Sequence, residues 1–177
     1  MIHACQGIFL GRHVNFGAMM NTKFNNEIIF KPIGIIHSHF KDIKDIPKQP
    51  YEGKGVNGTI EILPDYIEGL KGLEKFTHII LIFNFHLSHS FDLRVVPYKE
   101  NHIRGVFATR SPHRPNQIGM SIVRLSSINK NILNISNIDI IDGTPLLDIK
   151  PFVKEMDCFD MKDQDNSEWL NNKFKKE

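Results

Sequence analysis

Between Gly105 and Gly119 the chain reads GVFATRSPHRPNQIG. Arg110, His113 and Arg114 are packed into this stretch, spaced by Pro112 and Pro115 and followed by Asn116. Arginine presents a planar fork of N–H donors that grips a carboxylate or phosphate through paired bonds. Proline fixes φ and glycine permits turns closed to other residues, so this punctuation sets the angles of the guanidiniums in advance. Lys99, His102 and Arg104 lie just upstream, with almost no acid after Glu100. On charge alone such a cluster is either a solvated face or an anion site; the rigid spacing favours the site. A second polar island, IDIIDGTPLLDIKP, sets Asp139, Asp142 and Asp148 among isoleucines and leucines. A carboxylate between apolar residues is costly unless it is paired or hydrogen-bonded. Pairing with the arginines is the structural reading. The functional one has Asp142, or the backbone of Asp142 to Pro145, bonding a ligand at a rim.

Other chemistries are poorly supported. Nine histidines invite a metal, yet none forms HExxH or a Cys/His set; His37 and His39 alternate on one strand, and His86 and His89 sit at a strand end. No GxSxG elbow is present, and neither Cys5 nor Cys158 belongs to a CxxC pair or a catalytic signature, so both read as unpaired thiols. Gly53-Lys-Gly55-Val-Asn-Gly58 matches GxGxxG, but a proline-rich loop precedes it and a strand follows. A dinucleotide fingerprint needs the opposite order, so these glycines serve turns.

The elements that must position these residues are mostly strands. Residues 27–40, 59–63, 77–87, 103–110, 120–128, 131–141 and 146–152 are each rich in β-branched and aromatic residues. Pro32 forces an edge or bulge on the first, and THIILIFNFHL is the candidate central strand. Residues 64–76 predict a short helix opened by Pro64, with Tyr66, Leu70 and Leu73 at helical spacing. Residues 41–58 and 88–102 are long loops, of the length usually tied to function. Asn129-Lys130-Asn131 and Asp142-Gly143 are turn signals. Strands at this spacing with one or two short helices predict a mainly β fold, a compact single-domain β-barrel.

With 177 residues, 41% hydrophobic and 24% charged, the chain suits one domain with a real core. The net charge of +2 is too small to mark a nucleic-acid binder, so any such role must come from local clustering. No run approaches the ~20 apolar residues that span a bilayer, and the N-terminus lacks a signal-peptide apolar region. The expected organisation is a poorly ordered extension over 1–25, a barrel over 26–155 and a helical tail over 156–177, capped at Asn166 or Ser167. Met20 is a candidate alternative start.

PIGIIHS, the loop ending PKQP, LKGLEKFTHIILIFNFH, GVFATRSPHRPNQIG and IDIIDGTPLLDIKPF occur in one order over about Phe30 to Phe152. In these motifs the chain resembles the TrmO-type tRNA methyltransferases. The resemblance implies a compact β-barrel and a homodimer; the unpaired thiols fit a reducing, cytoplasmic location, and the lack of an apolar span leads us to expect no membrane. The resemblance also implies S-adenosylmethionine as cofactor, held close to the subunit interface. The implied substrate is the anticodon loop of tRNA, with methyl transfer to N6 of the threonylcarbamoyl-adenosine beside the anticodon. Motif by motif, it assigns cofactor contacts to Gln49, Pro50, Tyr51 and Glu52, to His86 and Leu87, to Arg110 and Met120, and to Asp142, Gly143, Thr144 and Pro145. Arg110 is then on the cofactor carboxylate or orients the rim loop, and Asp142 meets the cofactor's adenine or amine. Lys99, Arg104, His113 and Arg114 are left for RNA. No metal and no catalytic general base is assigned. Where the family loop has Pro-Arg-Gln-Pro, this chain has Lys48 in the arginine position, which changes any bidentate contact there. The alternative reading is a non-catalytic RNA- or nucleotide-binding β-barrel.

Overall fold

The structure, a computed structural model, describes residues 28–47, 55–97 and 101–158. The chain divides into two compact units, residues 1–30 and 31–177, and all the strands below belong to the second.

Alternation decides which residues face the core. The run HIILIFN is apolar nearly throughout, yet only Ile79, Leu81 and Phe83 are buried; Ile80 and Ile82 turn to the other face. The same period of two buries Ile60 and Ile62, Val123 and Leu125, and Leu133 and Ile135 on three other strands. Each fully buried side chain of this size stabilises the fold by about 1.5–3 kcal/mol. The strands are β1 (Gly34–His37), β2 (Asn57–Ile62), β3 (His78–Asn84), β4 (Arg94–Val95), β5 (Arg104–Gly105), β6 (Ile118–Asn129), β7 (Ile132–Ser136) and β8 (Thr144–Pro151). Six of them close into an antiparallel barrel in the order β1-β2-β7-β6-β3-β8, with β8 returning to β1. β4 and β5 form a separate two-stranded sheet. Closure leaves none of the six with an unpaired edge.

The registers give the barrel two unlike ends. His37, Asn57, Asn84, Ile118, Ser136 and Thr144 all lie at one end, called the mouth here. Three connections cross or border it: residues 38–56, 85–117 and 137–143. The far end carries residues 63–77 and the tight β6–β7 turn, where Lys130 has φ 55°.

Several sequence expectations are corrected. Of the described residues 28–40 only Gly34–His37 is strand; Pro32, with no N–H to give to a ladder, lies just before it. His39 therefore lies beyond β1 and does not share its face with His37. The helix over 64–76 is two 3-10 pieces, Pro64–Leu70 and Leu73–Lys75, parted at Gly72 with φ 90°. Of residues 103–110 only Arg104–Gly105 is strand before a 3-10 turn at Val106–Ala108, and β4 lies inside the expected loop 88–102. Residues 131–141 split after Ser136, where Asn137 adopts φ 65°. A short helix, α1 (Lys154–Asp157), follows β8. The expected N-terminal extension up to residue 25 and the helical tail from 159 lie outside the described residues.

Candidate functional site

β7 and β8 are not neighbours, so the segment joining them spans the mouth. Ile138 and Ile140 point down from this strap into the core, 0% and 3% exposed. The strap is tied at both ends. The Gly55 N–H donates to Asn137 Oδ1 (2.9 Å), and the Asp142 and Gly143 N–H groups donate to the carbonyls of Phe40 and Ile36, each at 2.9 Å. Gly143 has φ 76°, a conformation that disfavours a side chain. Thr144, 1% exposed, donates its hydroxyl to Ile141 O (2.8 Å).

The Asp142 carboxylate serves this tie. Oδ1 accepts from Ser38 N–H (3.1 Å) and lies 3.4 Å from His37 Nδ1; Oδ2 is 2.6 Å from Lys41 Nζ. The Lys41 hydrogen bond holds its carboxyl below the ordinary value, against some desolvation and aided by Ser38 and His37. Ser38 adds a hydroxyl bond to Ile140 O (2.7 Å), and His37 Nε2 is 3.7 Å from Glu61. Asp142 thus fixes the backbone of Gly143 to Pro145 against β1, which is the geometry in hand for a residue expected to meet a ligand.

Asp139 points elsewhere. It accepts from the Ser121 hydroxyl on β6 (2.9 Å), and burial pushes its carboxyl above the ordinary value. The Ser121 bond, its own backbone N–H and the charge of Arg110 pull the other way without overcoming burial. Arg110 itself is exposed at the rim. Among the described residues the expected pairing of these acids with the arginines is not seen: Asp139 bonds Ser121, Asp142 pairs with Lys41 and His37, and Asp148 lies 2.8 Å from Lys150 Nζ.

The 85–117 connection supplies the third wall. Phe85 N–H donates to Gln117 O (2.8 Å), continuing the β3–β6 pairing past the strand ends. His86 follows at once, and its Nδ1 is buried without a hydrogen-bond partner; Leu87 beside it is 44% exposed. An orphaned buried ring nitrogen is unfavourable unless something pairs with it. Further on, the loop is laced to itself. Arg114 Nη1 donates to the carbonyls of Val106 (3.2 Å) and Thr109 (2.8 Å), and Ser88 Oγ is 3.3 Å from His113 Nδ1. Arg114 and His113, expected to face RNA, make these loop contacts, and Arg104 lies on β5.

His86, Leu87 and Arg110 from the 85–117 connection, and Asp142 and Gly143 from the strap with Thr144 and Pro145 at the start of β8, therefore come to one end of the barrel. Met120 does not. It stands on the outer face of β6, 48% exposed and paired with Ile82. Gln49, Pro50, Tyr51, Glu52 and Lys99 lie outside the described residues. Sequence reasoning missed Ser38, Lys41 and Ser121 as partners of the site. The one available signal was Asp139 itself, a polar residue between two buried isoleucines. Among the described residues no group of three or more His, Cys, Asp or Glu side chains is arranged to hold a metal, and no helix is long and apolar enough to cross a membrane.

The structure is of one class: a closed six-stranded antiparallel β-barrel plugged by Ile138 and Ile140, with polar groups gathered at one end. The chain belongs to the tRNA-methyltransferase O N-terminal domain family, whose profile matches residues 35–158. It is 52% identical over 143 residues to a "Probable S-adenosyl-L-methionine-binding protein" of Pyrococcus abyssi, covering 81% of this chain and 76% of that one. It is 39% identical to the tRNA (adenine(37)-N6)-methyltransferase of Escherichia coli, covering 70% of this chain and 57% of that enzyme. The crystal structure of TrmO from Pseudomonas aeruginosa superposes with a TM-score of 0.67 at 40% identity, over 80% of this chain and 62% of that one. The chain thus spans little more than half the length of the named methyltransferases.

Proposed function

We propose that this chain is an S-adenosylmethionine-dependent tRNA (adenine-N6)-methyltransferase. Its target is the threonylcarbamoyl-adenosine beside the anticodon, and it works as a cytoplasmic homodimer. The observation that carries this reading is the convergence of His86, Arg110 and Gly143 to Pro145 at one mouth, in a chain of this family.

The residues present suit the cofactor. Its carboxylate calls for a cation, and Arg110 is an exposed arginine at the rim. Its hydroxyls and ring nitrogens call for hydrogen-bond groups, and His86 Nδ1 is buried and unpartnered. The backbone at Gly143, free of a Cβ and clamped by Asp142, allows close approach. Bound S-adenosylmethionine supplies an activated methyl group on its sulfonium. The adenine N6 lone pair is delocalised into the ring, so the protein's task is alignment of the two reactants and exclusion of water, with no covalent intermediate. Ile138 and Ile140 close the floor beneath, and the tied strap keeps the wall from shifting as ligands enter.

Support for a homodimer comes from the outer face of β3 and β6. Ile118, Met120 and Ile122 are 37%, 48% and 45% exposed in one row, beside Ile80 and Ile82. A second copy covering this row would also bring Met120 into reach of a cofactor bound near the interface. Sedimentation of the chain, alone and with Met120→Lys, checks this: the parent is expected as a dimer and the variant as a monomer.

Mass spectrometry of tRNA nucleosides after incubation with the chain and S-adenosylmethionine tests the activity. The expected product is the N6-methylated nucleoside. Arg110→Ala should weaken cofactor binding roughly tenfold to a hundredfold, the worth of a charge-assisted pair. A thermal-shift titration reads this directly. Near-normal cofactor binding and turnover in the variant would remove Arg110 from the site. Cofactor binding without methyl transfer would instead favour a non-catalytic RNA-binding barrel.

A further inference from the structure

Phe107 is a prominent feature of the rim that the reaction leaves unused. Its side chain is 74% exposed, although the neighbouring Val106 is 1% exposed and anchors the same 3-10 turn. The turn is held from several sides. Val106 O accepts from the Thr109 N–H (3.1 Å), the Thr109 hydroxyl (2.9 Å) and Arg114 Nη1 (3.2 Å), and Ser111 N–H donates to Thr109 Oγ1 (3.3 Å). The guanidinium carbon of Arg114 stands 5.9 Å from the centre of the Phe107 ring, within the range of a cation–π contact. The ring is therefore carried outward on a fixed turn, backed by a cation, three residues from Arg110.

A fixed, exposed aromatic ring is a surface that receives another flat apolar face. The surrounding charge says what kind. The segment from Asn101 to Gly119 that carries the ring has no aspartate or glutamate and holds Arg104, Arg110 and Arg114. Aromatic faces set among cations are how proteins hold single-stranded nucleic acid: bases stack on the ring and phosphates meet the charges. Leu93 and Ile103, exposed just before β4 and β5, would suit a protein partner. A second copy is disfavoured there, because two faces of the same sign repel.

We infer that Phe107 is a substrate-positioning residue, the platform on which a splayed nucleobase of an RNA loop stacks as it enters the mouth. Arg114 holds the platform in place, by its bonds to Val106 and Thr109 and by its position over the ring. This rests on the reading of RNA as the substrate.

The test uses the full chain and an anticodon stem–loop RNA that keeps threonylcarbamoyl-adenosine at the target position and carries 2-aminopurine beside it. Phe107→Ala should weaken RNA binding roughly tenfold to a hundredfold, the worth of one stacked base. It should also change the 2-aminopurine emission of the complex. Phe107→Trp should restore both. The thermal shift produced by S-adenosylmethionine and the sedimentation of the protein should stay as in the parent, since Phe107 is exposed and the turn is closed by its neighbours. Parent-like RNA binding and emission in Phe107→Ala overturns the inference. Altered sedimentation with unchanged RNA binding assigns the ring to a protein contact and overturns it as well. A parent chain that binds cofactor but no RNA overturns the substrate reading itself, a result separable from the other two.

Discussion

Gly119 and Phe83 face each other across the β3–β6 ladder, and the pair shows how closely the mouth is built. A Cβ on Gly119 would overlap the Phe83 ring, and that ring packs edge-on against Phe85 at 5.2 Å, next to His86. Gly119→Ala should cost roughly 1–3 kcal/mol by overpacking. Urea unfolding checks this, and Phe83→Leu in the same chain should recover part of the loss. Asp139 has a different signature. Its folded-state value is raised, so the native chain takes the proton before the unfolded one does. Stability then rises as pH falls through that window, and at neutral pH the buried charge opposes folding. Asp139→Asn keeps an oxygen for the Ser121 hydroxyl without the charge. We expect a higher Tm than the parent at neutral pH, with the gap closing on acidification through the carboxyl range. Melts across a pH series show it, and a lower Tm at pH 7 would contradict it. At this scale the sequence announced the arginines and the Asp-Gly-Thr-Pro turn, because rigid punctuation and acids among isoleucines are visible as text. It could not announce the partners. Asp142 bonds Ser38, 104 residues away, and no spacing rule links two residues that the barrel alone brings together.

Among the elements, the strap over residues 137–143 ties the fold to the site. It plugs the barrel with Ile138 and Ile140 and presents Gly143 and Thr144 at the rim. Ile138→Ala should destabilise by roughly 2–5 kcal/mol, as a buried large-to-small change does. The thermal shift from S-adenosylmethionine should shrink with it, since the same segment sets the wall. Denaturant midpoints and ligand titrations of one variant read both effects. The strap was hidden in the sequence because NILNISNIDII keeps a strand-like composition past Ser136. Only the left-handed Asn137, which asparagine tolerates well, turns the chain out of the ladder. The central strand was legible because alternation survives inside its apolar run. The 3-10 segments were not, because Tyr66, Leu70 and Leu73 fit helical spacing while Gly72 at φ 90° breaks the turn between them.

For the whole molecule, the barrel class was legible from many short strands at regular spacing. The closure order was not, since β1 meets β8 and β2 meets β7 through registers that only the folded chain reveals. That order has a practical consequence. The chain enters β1 and leaves β8 at the end away from the mouth, and the two strands are neighbours. β8 runs on from Leu146, the partner of Gly34, to Pro151, an offset of roughly 17 Å at ~3.3 Å per residue. A bridge of about six residues spans that gap, and loop closure grows only slowly more costly with length. The barrel segment 34–151, taken without the residues that flank it, is thus a natural subject for circular permutation. Joined from Pro151 to Gly34 and reopened between Lys130 and Asn131, this segment would start and finish at the hairpin while all three mouth connections stay uncut. Such a permutant should unfold cooperatively and keep its cofactor-induced thermal shift, making the far end a place for cutting, fusing and tethering without touching the chemistry.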